Sequence, residues 1–174
     1  TLGNGKRTDN RNLITEWEAA HPNGKYLSSG SELASNKLSS ASHILGLFSD
    51  SHLDYEADRL ASQSDEPTLA AMTAQAINKL STDKDGFFLM VEAGRIDHGH
   101  HQNSAYYALN DTIALSQAVD AALSMVDLNE TLIIVTADHS HVFTIAGYPK
   151  RGNPILGKVV NIGDDTPALA QDGK

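Results

Sequence analysis

Two short runs without a charged residue, 87–91 (FFLMV) and 132–135 (LIIV), are apolar throughout rather than alternating. Continuous runs of this length predict strands covered on both faces of a sheet. Between them, residues 104–126 form the longest helical pattern, with Ala105, Leu109, Ile113, Ala118, Ala122 and Met125 on its predicted inner face. A strand, a crossover helix and a second strand predict a parallel pair with a right-handed connection, so both strand ends meet one edge of the sheet. Open α/β sheets place their chemistry at such carboxyl ends.

The remaining pattern is weaker but consistent with the same class. Leu13, Ile14, Trp17 and Ala20 make a helical stripe that His21-Pro22 and the Asn23-Gly24 turn end. Residues 25–28 and 43–48 read as strands, with a serine-rich segment between them in which Ser31 supplies a helix start. Leu53, Ala57 and Leu60 mark a further helix, and Pro67 opens another whose stripe is Leu69, Met72, Ala76, Ile77 and Leu80. Residues 1–10 read as a loop, and the chain beyond Val142 as loop with one strand at 156–161.

The chemistry begins where the two apolar runs stop. Glu92 is the first charge after one run, and Asp97 and His101 follow four residues apart, on one face if Asp97 lies in a helical turn. The other run ends in Asp138, His139 and His141. Carboxylates and imidazoles at this density repel one another unless cations neutralise them. With no thiolate present, the mixture suits zinc at the aspartate and histidine pairs, and magnesium or manganese near the lone glutamate. The competing uses are an ion pair between Glu92 and Arg95, and helix capping by Asp97 and Asp138. Imidazoles beside both aspartates favour ligation, whereas His21, His43, His52 and His100 read as packing or surface residues.

The stretches VEAGRIDHGHH and VTADHSHVF, with GFF before the first and GY-x-x-RGN-x-I-x-G after the second, closely resemble the metal-binding core of alkaline phosphatases. The likeness spans residues 11–157, with 1–10 and 158–174 as loop-rich flanks of one partial domain. It implies an incomplete α/β/α three-layer sandwich with a mostly parallel sheet. It also implies two zinc ions and one magnesium: Glu92 on magnesium, Asp97 and His101 on the first zinc, Asp138 and His139 on the second. His141 resembles the family's histidine behind the carboxylate matching Asp97, and His98 stands where a side chain acts on bound phosphate through water. Glu66 matches one carboxylate of an extra calcium site, but Ser49 stands where that site can have a glutamate; a helix-start carboxylate is the plainer reading.

The family's nucleophilic serine, the aspartate bridging the second zinc and magnesium, and the phosphate-binding arginine have no counterpart among these residues. The chain therefore reads as an internal fragment carrying no catalytic nucleophile. The resemblance implies phosphate monoester hydrolysis through a phosphoserine for the longer enzyme, a homodimer, and a periplasmic or extracellular location. The alternative is a non-catalytic metal-binding module or an inactive folded fragment.

Composition sets further bounds. The formal net charge of -9 with scattered Lys and Arg gives no basic surface for nucleic acid. No cysteine is present, so neither a disulfide nor a thiolate ligand can form and the redox compartment stays open. The chain carries no signal-peptide pattern and no long apolar span.

Overall fold

A computed structural model describes residues 8–35, 38, 40–144 and 147–156. The strand expected at 156–161, most of the N-terminal loop and the C-terminal flank lie outside them. Helix α1 (Leu13–Ala20) begins where Asn12 Oδ1 accepts the free amides of Ile14 and Thr15 at 3.1 and 3.2 Å. It ends at His21, whose ring stacks on Trp17 with centroids 4.8 Å apart. The turn then brings Gly24 beneath that indole; a Cβ there would lie 2.8 Å from Trp17 Cη2.

Strand β1 (Lys25–Leu27) pairs in parallel with β2 (Ile44–Gly46), with Lys25 opposite Ile44 and Leu27 opposite Gly46. The crossover carries α2 (Gly30–Leu33), a single turn capped by Ser29 rather than started by Ser31. Leu27, Leu33 and Leu38 form a small core on which Ile44, Phe48 and Met72 pack.

Three further helices, α3 (Glu56–Ser62), α4 (Leu69–Leu80) and α5 (Arg95–His101), pack with α6 (Ala105–Met125). Thr68 caps α4 by accepting the Ala71 amide, and Pro67 sits just outside that cap. The buried side of α6 is Ala108, Asp111, Ala114 and Ala118; of the expected stripe Ala118 is buried, whereas Leu109 and Ile113 are exposed. Small residues win the inner face because they let α6 approach its neighbours closely, which leucine and isoleucine would prevent. On α3 the same correction applies, with Ala57 buried and Leu60 exposed.

The two apolar runs depart most from expectation. Residues 87–91 and 132–135 carry no strand in the described chain, and Phe88 is 88% and Leu132 83% exposed. A strand exists only through a hydrogen-bonded neighbour, and the one sheet among the described residues is the β1–β2 pair. The fold is thus an α/β arrangement with a short parallel sheet and helices, and both apolar runs lie outside that sheet.

Asp111 is a buried carboxylate on α6, and its Oδ2 accepts the Glu56 amide at 3.3 Å. Burial pushes its pKa above the ordinary carboxylate value, against the opposing pull of that amide. A carboxyl that holds its proton more tightly folded than unfolded favours folding at low pH. That contribution is lost as pH rises from the unfolded pKa through the raised one. Asp111→Asn keeps an acceptor for the amide, so urea denaturation across that interval should show a smaller fall in stability with rising pH than in the unsubstituted chain.

Candidate metal centre

Helix α5 follows the first apolar run after Gly94, which caps it without a side chain. Asp97 therefore sits inside the first turn, free of the capping role, with His101 one turn on. His101 Nε2 lies 3.4 Å from Asp97 Oδ2. Packing fixes this helix: Gly99 is buried against α6, where a Cβ would stand 2.7 Å from the Ala108 amide nitrogen.

The segment after the second run reaches the same carboxylate. His139 Nε2 is 3.7 Å from Asp97 Oδ1 and 3.5 Å from Asp138 Oδ2, and His141 Nε2 is 3.3 Å from Asp97 Oδ1. Asp97, His101, Asp138, His139 and His141 are thus one cluster built from two distant parts of the chain. Glu92 is exposed just before α5 and makes no hydrogen bond or ion pair with this cluster among the described residues. Nor does it pair with Arg95, which turns to His98 and Tyr55 instead.

Hydrogen bonds fix the roles of two rings. His139 Nδ1 lies 2.7 Å from the Ser140 carbonyl, an acceptor only, so Nδ1 carries a proton and Nε2 of the neutral ring is a bare lone pair. That lone pair faces two carboxylates, which is unfavourable unless a proton or a metal cation lies between. The Ser140 carbonyl, with Asp138 and Asp97, accordingly raises the His139 pKa. His141 is the reverse case. Its Nδ1 accepts the Val142 amide at 3.0 Å, so its neutral ring is protonated at Nε2, toward Asp97. Asp97, His101 and His141 offer ligand atoms within 4.8 Å of one another. The proton on His141 Nε2 nevertheless keeps that nitrogen from ligating a metal; it faces Asp97 Oδ1 at 3.3 Å without the alignment of a hydrogen bond.

A divalent cation fits this donor set. Asp97 Oδ1 is closed off from solvent with no aligned hydrogen bond, an uncompensated charge that a cation would neutralise. Carboxylate and imidazole donors without thiolates match zinc, and a carbonyl holding the far nitrogen of His139 is the usual support for a ligating ring.

The other singled-out residues stand apart. Glu66 Oε2 accepts the Asp54 amide at 2.7 Å, before the start of α4 rather than in its first turn. His21 and His43 pack together, with centroids 4.5 Å apart, away from the cluster. His100 lies against His141 and Phe143. The contact that sequence reasoning missed is His52, whose ring meets His98 edge-on at 4.6 Å. Nothing in the spacing of residues 52 and 98 signals it.

The sequence model of the alkaline phosphatase family matches residues 1–170. A membrane-bound alkaline phosphatase of Bombyx mori is 46% identical over 159 residues, which cover 89% of this chain and 28% of that protein. The tissue-nonspecific isozyme of alkaline phosphatase from Gallus gallus is 44% identical over 156 residues, 88% of this chain and 30% of that one. The crystal structure of Thermus thermophilus alkaline phosphatase superposes with a TM-score of 0.64 at 32% identity, over 71% of this chain and 25% of that one. The chain therefore spans less than a third of the length of these curated relatives.

Proposed function

The chain belongs to the alkaline phosphatase family, and we propose that it supplies the metal-holding part of a longer phosphomonoesterase. The observation that carries this is the meeting of Asp97 with the imidazoles of His101, His139 and His141. In this reading Asp97 and His101 hold one zinc, Asp138 and His139 the other, and Glu92 a magnesium. When bound, the two zinc ions supply electrostatic stabilisation to the oxygens entering and leaving phosphorus. His141 sets its Nε2 proton toward Asp97 at 3.3 Å and so helps turn that carboxylate toward the first site. The Ser140 carbonyl holds His139 with its Nε2 lone pair toward the second. His98 acts on the phosphate group through water. Calcium at Glu66 is not part of this reading: Ser49 stands where that site can have a glutamate, and Glu66 Oε2 accepts the Asp54 amide.

The serine that attacks phosphorus and forms the phosphoserine is proposed to lie in other parts of the longer protein. The 174 residues then form part of a single domain, and the exposed faces of 87–91 and 132–135 are where further strands of its sheet would pair. A homodimer and a periplasmic or extracellular location come with the same family reading. No helix among the described residues is long and apolar enough to cross a membrane.

Hydrolysis of a generic phosphate monoester tests the proposal. A longer polypeptide containing this chain, supplied with zinc and magnesium, should turn substrate over, while the 174 residues alone should show negligible activity. An inert longer polypeptide would leave a non-catalytic metal-binding module, and serine-dependent turnover by the short chain would place the nucleophile within it.

A further inference from the structure

We infer that Arg95 is a positioning residue for His98: it fixes the ring proton on Nε2 and so presents a hydrogen-bond donor beside the Asp97 cluster. Arg95 Nη1 lies 3.1 Å from His98 Nδ1. A guanidinium has donors and no acceptor, so Nδ1 must accept, and the neutral ring carries its proton on Nε2. Arg95 is itself held in place. Its Cζ lies 3.9 Å over the Tyr55 ring, and Tyr55 is buried and stacked on Tyr107 with centroids 4.1 Å apart. The Tyr55 hydroxyl accepts from Gln102 Nε2 at 2.9 Å.

Residues 95, 98 and 102 fall along one side of α5 by their spacing, tied to a buried tyrosine, while Asp97 and His101 fall along the neighbouring side and meet the incoming imidazoles. The His52 ring meets that of His98 edge-on. One short helix therefore presents a metal-type cluster and, next to it, a ring whose donor nitrogen is set by a planar cation. A fixed donor beside a cation site suits an anionic oxygen, reached directly or through water. Assigning that anion as phosphate rests on the function proposed above; the placement of the proton does not.

Long-range proton–nitrogen correlation spectra of this chain test the inference at a pH where its histidines are neutral, with His98 identified by its loss in His98→Gln. The unsubstituted chain should show His98 as a single tautomer, with Nδ1 unprotonated and Nε2 protonated. In Arg95→Met both nitrogen shifts should move toward the averaged values of an unconstrained ring. A His98 proton on Nδ1 in the unsubstituted chain overturns the inference without any variant. So do unchanged His98 shifts in an Arg95→Met chain whose Tyr55 and Tyr107 signals stay dispersed. Inorganic phosphate titrated into the zinc-loaded chain separates the two readings. A His98 Nε2 proton that responds to phosphate, about fivefold more weakly in Arg95→Met, supports both. Nitrogen shifts set by Arg95 but indifferent to phosphate keep the positioning role and count against the phosphate role.

Discussion

Asp97→Ala should weaken zinc retention by at least about a hundredfold, more than any other single substitution in the chain. The reason is its place in the cluster: three imidazoles approach this one carboxylate, at 3.4, 3.7 and 3.3 Å. Removing it takes away a proposed ligand of the first site, leaves the His141 Nε2 proton without the carboxylate it faces, and removes one of the two negative charges facing His139 Nε2. Asp138→Ala should fall short of this, because Asp138 meets only His139 among the described residues. His21→Ala should leave zinc content unchanged, since that ring packs on Trp17 and His43. Elemental analysis after dialysis ranks the three variants, and equal zinc in Asp97→Ala and His21→Ala would remove the assignment.

The second large effect is on stability and reaches the site through packing. Gly99→Ala should destabilise the chain by about 1–3 kcal/mol, read from urea denaturation. The added methyl would stand 2.7 Å from the Ala108 nitrogen and 3.0 Å from its Cα, and backbone atoms cannot turn aside as a flexible side chain can. Relief requires α5 to move off α6. Because α5 carries Asp97 and His101, the same substitution should also lower zinc affinity, although residue 99 touches no ligand atom.

The two halves of the cluster were legible because the spacing of their residues is local. Asp97 and His101 meet through helical spacing, and Asp138, His139 and His141 lie within four residues of one another, so each half can be read from the chain directly. Helix α4 was equally plain from Pro67 and the stripe that follows it, although the structure gives the cap itself to Thr68. What failed depended on partners distant in the chain. The runs at 87–91 and 132–135 have the composition of buried strands, yet composition says only that a strand can be covered, not what covers it. On α6, Ala118 was placed correctly, but weighting leucine and isoleucine over alanine selected Leu109 and Ile113 for the inner face, whereas close helix contact selected Ala108 and Ala114. Arg95 had two partners at equal spacing, Glu92 behind it and His98 ahead. Tyr55, forty residues upstream, accompanies the second arrangement by stacking under the guanidinium.

Anomalous diffraction at the zinc edge, from crystals of the zinc-loaded chain, measures the convergence directly. Two peaks about 4 Å apart are expected, one bounded by Asp97 and His101 and the other by Asp138 and His139. Zinc bound elsewhere, or density in which Asp97 and Asp138 do not share one pocket, would contradict the account.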